Sequence, residues 1–144
     1  MVLNVFVEFP GYWRDDKLRQ IATPLTNQIE VCVRLKLTDG ISKTQLQDCF
    51  GALIENATDD TLLKSINLGI LMHTRSEDAR VRLFALSCSE AIWKTSGGGK
   101  LLGFVSETAT FIAECGEDEN DLVVKECFKL KDAVESVAGK IDGL

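Results

Sequence analysis

The chain has 144 residues, 45% hydrophobic and 26% charged, with a formal net charge of −6. This is the balance of an ordinary globular domain, and no apolar run reaches the ~18 residues of a membrane-spanning helix. The acidic surplus disfavours phosphate backbones as the main ligand, since nucleic-acid affinity rests on neutralising them with Lys and Arg, and so points to protein partners.

Residues 2–9, VLNVFVEF, are apolar on almost every side, which suits a buried strand or the last turns of a helix, and helix is the reading adopted. No basic region followed by an apolar run and a cleavage site is present, so an intracellular protein is expected. Pro10 and Gly11 then break the chain before Tyr12 and Trp13. Asp15 or Asp16 can cap a helix whose inward positions are Leu18, Ile21, Ala22, Leu25, Ile29 and Cys32. Pro24 removes a backbone donor inside that pattern, which predicts a kink near Ile21 to Thr23 or two helices meeting there.

Thr38, Asp39 and Gly40 read as a turn, and Ser42 with Gln45 as a capping box opening a helix with core face Leu46, Cys49, Phe50, Leu53, Ile54 and Ala57. After Thr58 to Asp60 comes a helix carrying Leu62, Leu63, Ile66, Ile70 and Leu71, and Ser76 is the expected cap of the next. That helix, through Trp93, has two apolar stripes: Val81, Ala85, Cys88 and Ile92 on one, Leu83, Leu86 and Trp93 on the other. A lone surface helix would need only one, so this helix is expected to be sandwiched. Ser96 to Gly99 end it, and Leu101, Val105, Thr108 and Ile112 predict a helix over Lys100 to Cys115. An acidic turn, Gly116 to Asp121, leads to a last helix burying Val123, Cys127, Leu130, Val134 and Val137, with Lys125, Lys129, Asp132 and Glu135 outward.

Asp78, Val81 and Arg82 return as Asp121, Val124 and Lys125, an offset of ~43 residues, inside the ~40–47 of HEAT-type helical hairpins. The fold class expected is therefore all-α, an α-solenoid of antiparallel hairpins at approximately 14–57, 59–95 and 99–138, forming one domain over 1–144. Asp78 with Arg82, and Asp121 with Lys125, stand at i and i+4, and could pair along their helices or with the neighbouring repeat as a ladder. The last helix has the polar outer face of a closing repeat, while the start lacks such a cover, so the chain reads as the C-terminal fragment of a longer solenoid.

Sites of chemistry are scarce. The single histidine, His73, and five cysteines with no C-x-x-C give no zinc spacing; Cys32, Cys49, Cys88, Cys115 and Cys127 read as reduced core residues. Gly97, Gly98, Gly99 and Lys100 fall short of a phosphate loop, which would need Gly at Lys94 and Ser or Thr at Leu101. Ser106 lies in GFVSE, not in a nucleophile elbow, and Glu117 to Asp121 lacks the glycine and distal glutamate of a calcium loop. No catalytic, cofactor-binding or metal residue is assigned. Candidate partner-binding residues are Arg75, Arg80 and Arg82, as a small basic patch or as partners of Asp78 and neighbouring repeats, and Glu117, Asp118 and Glu119, as a capping turn or an acidic docking spot.

Three stretches, DDTLLKSINLGILMHTR at 59–75, SEDARVRLFAL at 76–86 and FVSETATFIAECGEDEND at 104–121, resemble the C-terminal end of the large HEAT-repeat protein family associated with U-three small nucleolar RNA in the small-subunit processome. GYWRDDKL at 11–18 resembles that family's aromatic turn; Leu63 and Ser65 stand where it often carries Trp and Pro. The resemblance implies a nucleolar, non-enzymatic scaffold without cofactors, acting in pre-ribosomal RNA transcription and early processing. It also implies processome partners, including β-propeller proteins, with pre-ribosomal RNP and the U-three RNA reached indirectly or through other regions. The alternatives are a HEAT adaptor in transport or phosphatase regulation, and a small helical enzyme, which would need a convergent polar pocket.

Overall fold

A computed structural model describes residues 15–95, 98–141 and 143. The expectations for residues 2–9, the aromatic turn at 10–13, and Ser96 with Gly97 lie outside the described residues. Among the described residues there are six α-helices and no strand. They are α1 (Asp15–Arg34), α2 (Gly40–Asn56), α3 (Asp60–Leu71), α4 (Ala79–Lys94), α5 (Val105–Cys115) and α6 (Asp121–Ala138), with 3₁₀ turns at Met72–Arg75 and Gly98–Phe104. Helices α1, α3 and α5 lie side by side in one layer, α2, α4 and α6 in the other, and the core fills the seam between them. This is the two-layer arrangement of an α-solenoid.

Helix α4 is the middle element, as its double stripe requires. Val81, Phe84, Ala85, Leu86, Cys88, Ile92 and Trp93 are all buried, leaving Leu83 half-buried at the edge. Bonds between neighbouring hairpins join residues about one repeat apart. Arg19 pairs with Asp59, Gln47 donates to Ser87 at 2.9 Å, and Asn67 donates to Thr108 at 3.0 Å inside the core. Gly69 lies so close to α1 that an added Cβ would stand 3.1 Å from the Thr26 methyl.

Several local expectations are corrected. Helix α1 runs unbroken through Pro24, so no pair of helices meets there; Thr26 donates to the Thr23 carbonyl at 3.0 Å. The capping box at Ser42 and Gln45 does not form, because α2 begins three residues earlier, with Asp39 at the N-cap and no side-chain cap bond. Ser76 does not cap α4. Its hydroxyl accepts from the Asp78 N–H at 3.2 Å, and Asp78 is the cap, accepting from the Arg80 N–H at 2.9 Å. The single helix expected over Lys100 to Cys115 divides into a 3₁₀ turn and α5.

The repeat register moves by one residue. Asn120, not Asp121, caps α6, accepting from Leu122 and Val123 N–H at 2.9 and 3.2 Å. Cap on cap, Asp78 matches Asn120, and Val81, Ala85, Cys88 and Ile92 match Val123, Cys127, Leu130 and Val134, every one buried. The offset of ~42 residues keeps HEAT spacing. The polar outer face of α6 is interrupted: Phe128 is 53% exposed there, and Val137 is only partly buried.

Candidate functional site

Which polar side chains can act on another molecule depends on which the fold has already used. Arg75, at the end of the first 3₁₀ turn, makes two bonds to Glu114 at 3.0 and 2.8 Å, and its guanidinium lies 4.3 Å from the Phe111 ring centroid. Arg80 folds back on Asp78 at 3.1 and 2.8 Å. Arg82 reaches across to Asp118 with two bonds of 2.8 and 3.0 Å, and its other amino group donates to the Ser76 and Glu77 carbonyls. Each of the three arginines therefore has a carboxylate partner within the fold.

The Arg82 and Asp118 side chains are only 12% and 11% exposed. The Arg82 hydrogen bonds, aided by the Asn120 N–H, hold the Asp118 carboxyl below the usual carboxylate range against the opposing effect of burial. Asp118 is thus part of the joint between hairpins, whereas its neighbours Glu117 and Glu119 are exposed. Arg82 meets Asp78 through its backbone N–H, which donates to the Asp78 carbonyl at 3.1 Å, while its guanidinium pairs with Asp118 in place of the expected intrahelical rung. Asp121 and Lys125 stand exposed on α6.

The glycine-lysine stretch has a structural task. Lys100 Nζ donates to the carbonyls of Ile54, Glu55 and Ala57 at 3.3, 2.7 and 2.9 Å, closing the C-terminal end of α2. Those carbonyls lack helical partners and carry the negative end of the helix dipole, so an ammonium is well placed there. An added Cβ on Gly98 would fall 2.4 Å from the Trp93 carbonyl oxygen, so chain reversal at this point needs glycine.

The cysteines are free thiols, four of them buried. Burial pushes Cys88 and Cys127 up to about 12, and the Cys127 thiol donates to the Ile112 carbonyl at 3.1 Å. His73 Nδ1 lies 3.4 Å from Glu30 Oε1. No cluster of metal-ligating side chains occurs among the described residues.

Sequence reasoning missed one region, where the end of α1 and the start of α2 meet the first half of α4 around a cleft of about 440 Å³. Lys36, Lys43, Arg80 and Glu126 line it over a floor that includes Leu83 and Phe84. Burial, then the Glu90 hydrogen bond and charge, push the Glu126 carboxyl up to about 7, while bonds from Lys94 and Glu126 hold Glu90 low despite its own burial. No motif marks this cleft, because its residues come from four helices and the turn between α1 and α2.

No family model matches the chain, and no solved structure matches it. Curated relatives do. HEAT repeat-containing protein 1 homolog of Drosophila melanogaster is 30% identical over 126 residues, which is 88% of this chain and 6% of that protein. U3 small nucleolar RNA-associated protein 10 of Pyricularia oryzae is 30% identical over 131 residues, 90% of this chain and 7% of that protein. HEAT repeat-containing protein 1 of Homo sapiens is 28% identical over 127 residues, 87% of this chain and 6% of that protein. The chain thus spans a small part of the length of each. With six helices in two layers, a repeat of HEAT length and an alignment that runs through most of its residues, this chain is a distant relative of the large HEAT-repeat family that includes HEAT repeat-containing protein 1 and U3 small nucleolar RNA-associated protein 10.

Proposed function

We propose that this protein is a non-enzymatic scaffold in small ribosomal subunit biogenesis. It would be a structural component of the nucleolar small-subunit processome, acting in pre-rRNA transcription and early processing. The observation that carries this reading is the alignment of most of the chain with proteins named as U3 small nucleolar RNA-associated. The fold supports it: the arginines, Asp118 and Lys100 that stood out as chemistry in the sequence are bonded within the stack. A solenoid works by geometry, holding partners at fixed separations along an extended surface. In this reading residues 1–144 form one repeat domain of three hairpins, β-propeller subunits are among its partners, and pre-ribosomal RNA is reached through the assembly.

Affinity isolation of the tagged protein from its own cells tests this. Recovery of U-three RNA and pre-ribosomal RNA with processome subunits is expected. Recovery of nuclear-transport cargo or phosphatase subunits in their place would overturn it.

A further inference from the structure

The cleft at the mouth of α2 and α4 has an apolar floor under a cationic rim. Val33 and Phe84 are buried at its base, with Leu83 half-buried beside them. Lys36 and Lys43 stand on the rim and make no salt bridge among the described residues, Lys43 acting on the Glu126 carboxyl through its charge alone. Arg80, tied to Asp78 but with 70% of its side chain exposed, adds a third cation. The rim also carries Asp39 and Glu126, of which Glu126 turns to its hydrogen-bonding partner Glu90. Ile41, 78% exposed, lies in an adjoining hollow that shares Lys43, extending the apolar surface beyond the cleft.

This mixture selects among ligands. A nucleic-acid strand gains affinity from many successive phosphate contacts, and two unpaired lysines beside two carboxyl groups cannot supply them. An apolar floor of this size suits one branched or aromatic side chain. The cations suit a carboxylate next to it, with the positive end of α2 reinforcing them. We propose that this cleft docks a short segment of a partner protein in which an acidic residue adjoins a leucine- or phenylalanine-sized residue. The inference rests on the partner-holding reading above but not on which assembly is served.

The test is selection of a random twelve-residue phage-displayed peptide library on the intact chain, with Lys36→Glu/Lys43→Glu as the comparison and circular dichroism confirming that the variant folds. Enriched peptides are expected to be net negative, with an acidic residue beside a large apolar one, and to bind the variant at least tenfold more weakly. Failure to enrich, peptides without acidic bias, or equal retention by the variant would overturn the proposal. So would saturable binding of a twelve-nucleotide oligouridine that the double substitution abolishes. Each result stands apart from the isolation experiment, which reads the assembly and not the cleft.

Discussion

Arg82 and Asp118, 36 residues apart in sequence, meet through two parallel hydrogen bonds across the seam between α4 and the turn that follows α5. Such a bidentate, charge-assisted pair fixes orientation as well as distance. Because the same guanidinium also holds the Ser76 and Glu77 carbonyls, one side chain orders the entry to α4 and the exit from α5 together. Arg82→Ala should cost about 2 kcal/mol in urea unfolding, and Arg82→Lys should recover only part, since an ammonium cannot span both carboxylate oxygens. Equal midpoints for Arg82→Lys and the parent chain would refute this account.

Lys100 is a cap, so its removal should cost stability without touching any ligand. Lys100→Met is expected to lose about 1 kcal/mol by exposing the α2 carbonyls to imperfect solvation. Millimolar ATP should leave the melting temperature of the parent chain unchanged. A nucleotide-induced rise in melting temperature that Lys100→Met abolishes would restore the phosphate-loop reading.

The glycines of that same turn differ. Gly98→Ala drives a methyl into the Trp93 carbonyl and should destabilise by about 2 kcal/mol or more. Gly99→Ala meets open space and should be neutral or slightly stabilising. Thermal melts of the two variants side by side decide the point.

Glu126 gives the chain a pH-dependent term. Its folded-state pKa, about 7, lies above the 4.5 of an unperturbed glutamate, so the folded state holds this proton more tightly than the unfolded state. The stabilisation is present below pH 4.5 and is lost as pH rises towards and through 7. Solvent screening of this half-buried group limits the change to about 1–2 kcal/mol. Glu126→Gln should flatten the stability profile between pH 5 and 8 and stabilise the protein at the upper end, as followed by urea unfolding across that range. An unchanged slope would mean that Glu126 does not carry the proton.

Lys36 ends α1 with a positive φ of 59°, the position where a helix normally places glycine. The Leu37 N–H bonds back to the Cys32 carbonyl at 2.7 Å and the Lys36 N–H to Val33 at 3.1 Å, so the reversal is fully hydrogen-bonded and the strain lies in the Cβ alone. Lys36→Gly should raise stability by about 1 kcal/mol while weakening peptide docking in the cleft. A stability gain with undiminished docking would separate the backbone from the site.

The helices were legible because their apolar spacing records burial directly: every core position read for α2 and α3, from Leu46 to Leu71, is buried. Caps were less so. Ser76 and Asp78 are both competent, and only the three-dimensional turn, in which one holds the other's N–H, decides between them. The register was read one residue late for the same kind of reason, since Asp121 looks like Asp78 while Asn120 does its work. Arg82 was legible as important but not its partner, because a helix offers Asp78 at i−4 while the fold brings both Asp118 carboxylate oxygens within bonding distance. Lys36 and Lys43 carried no signal at all; lysines in a turn and a first helical turn are commonplace until α4 closes a cleft behind them.

The cross-links from Arg82 to Asp118 and from Lys100 to Ala57 span 36 and 43 residues, and those at Arg19, Gln47 and Asn67 fall between them or close by. The bonds from Lys100 reach from the third hairpin to the end of the first, so tension along the pile is not passed from neighbour to neighbour alone. A body braced this way holds its two end hairpins to each other as well as to the middle one, which makes it a strut more than a string.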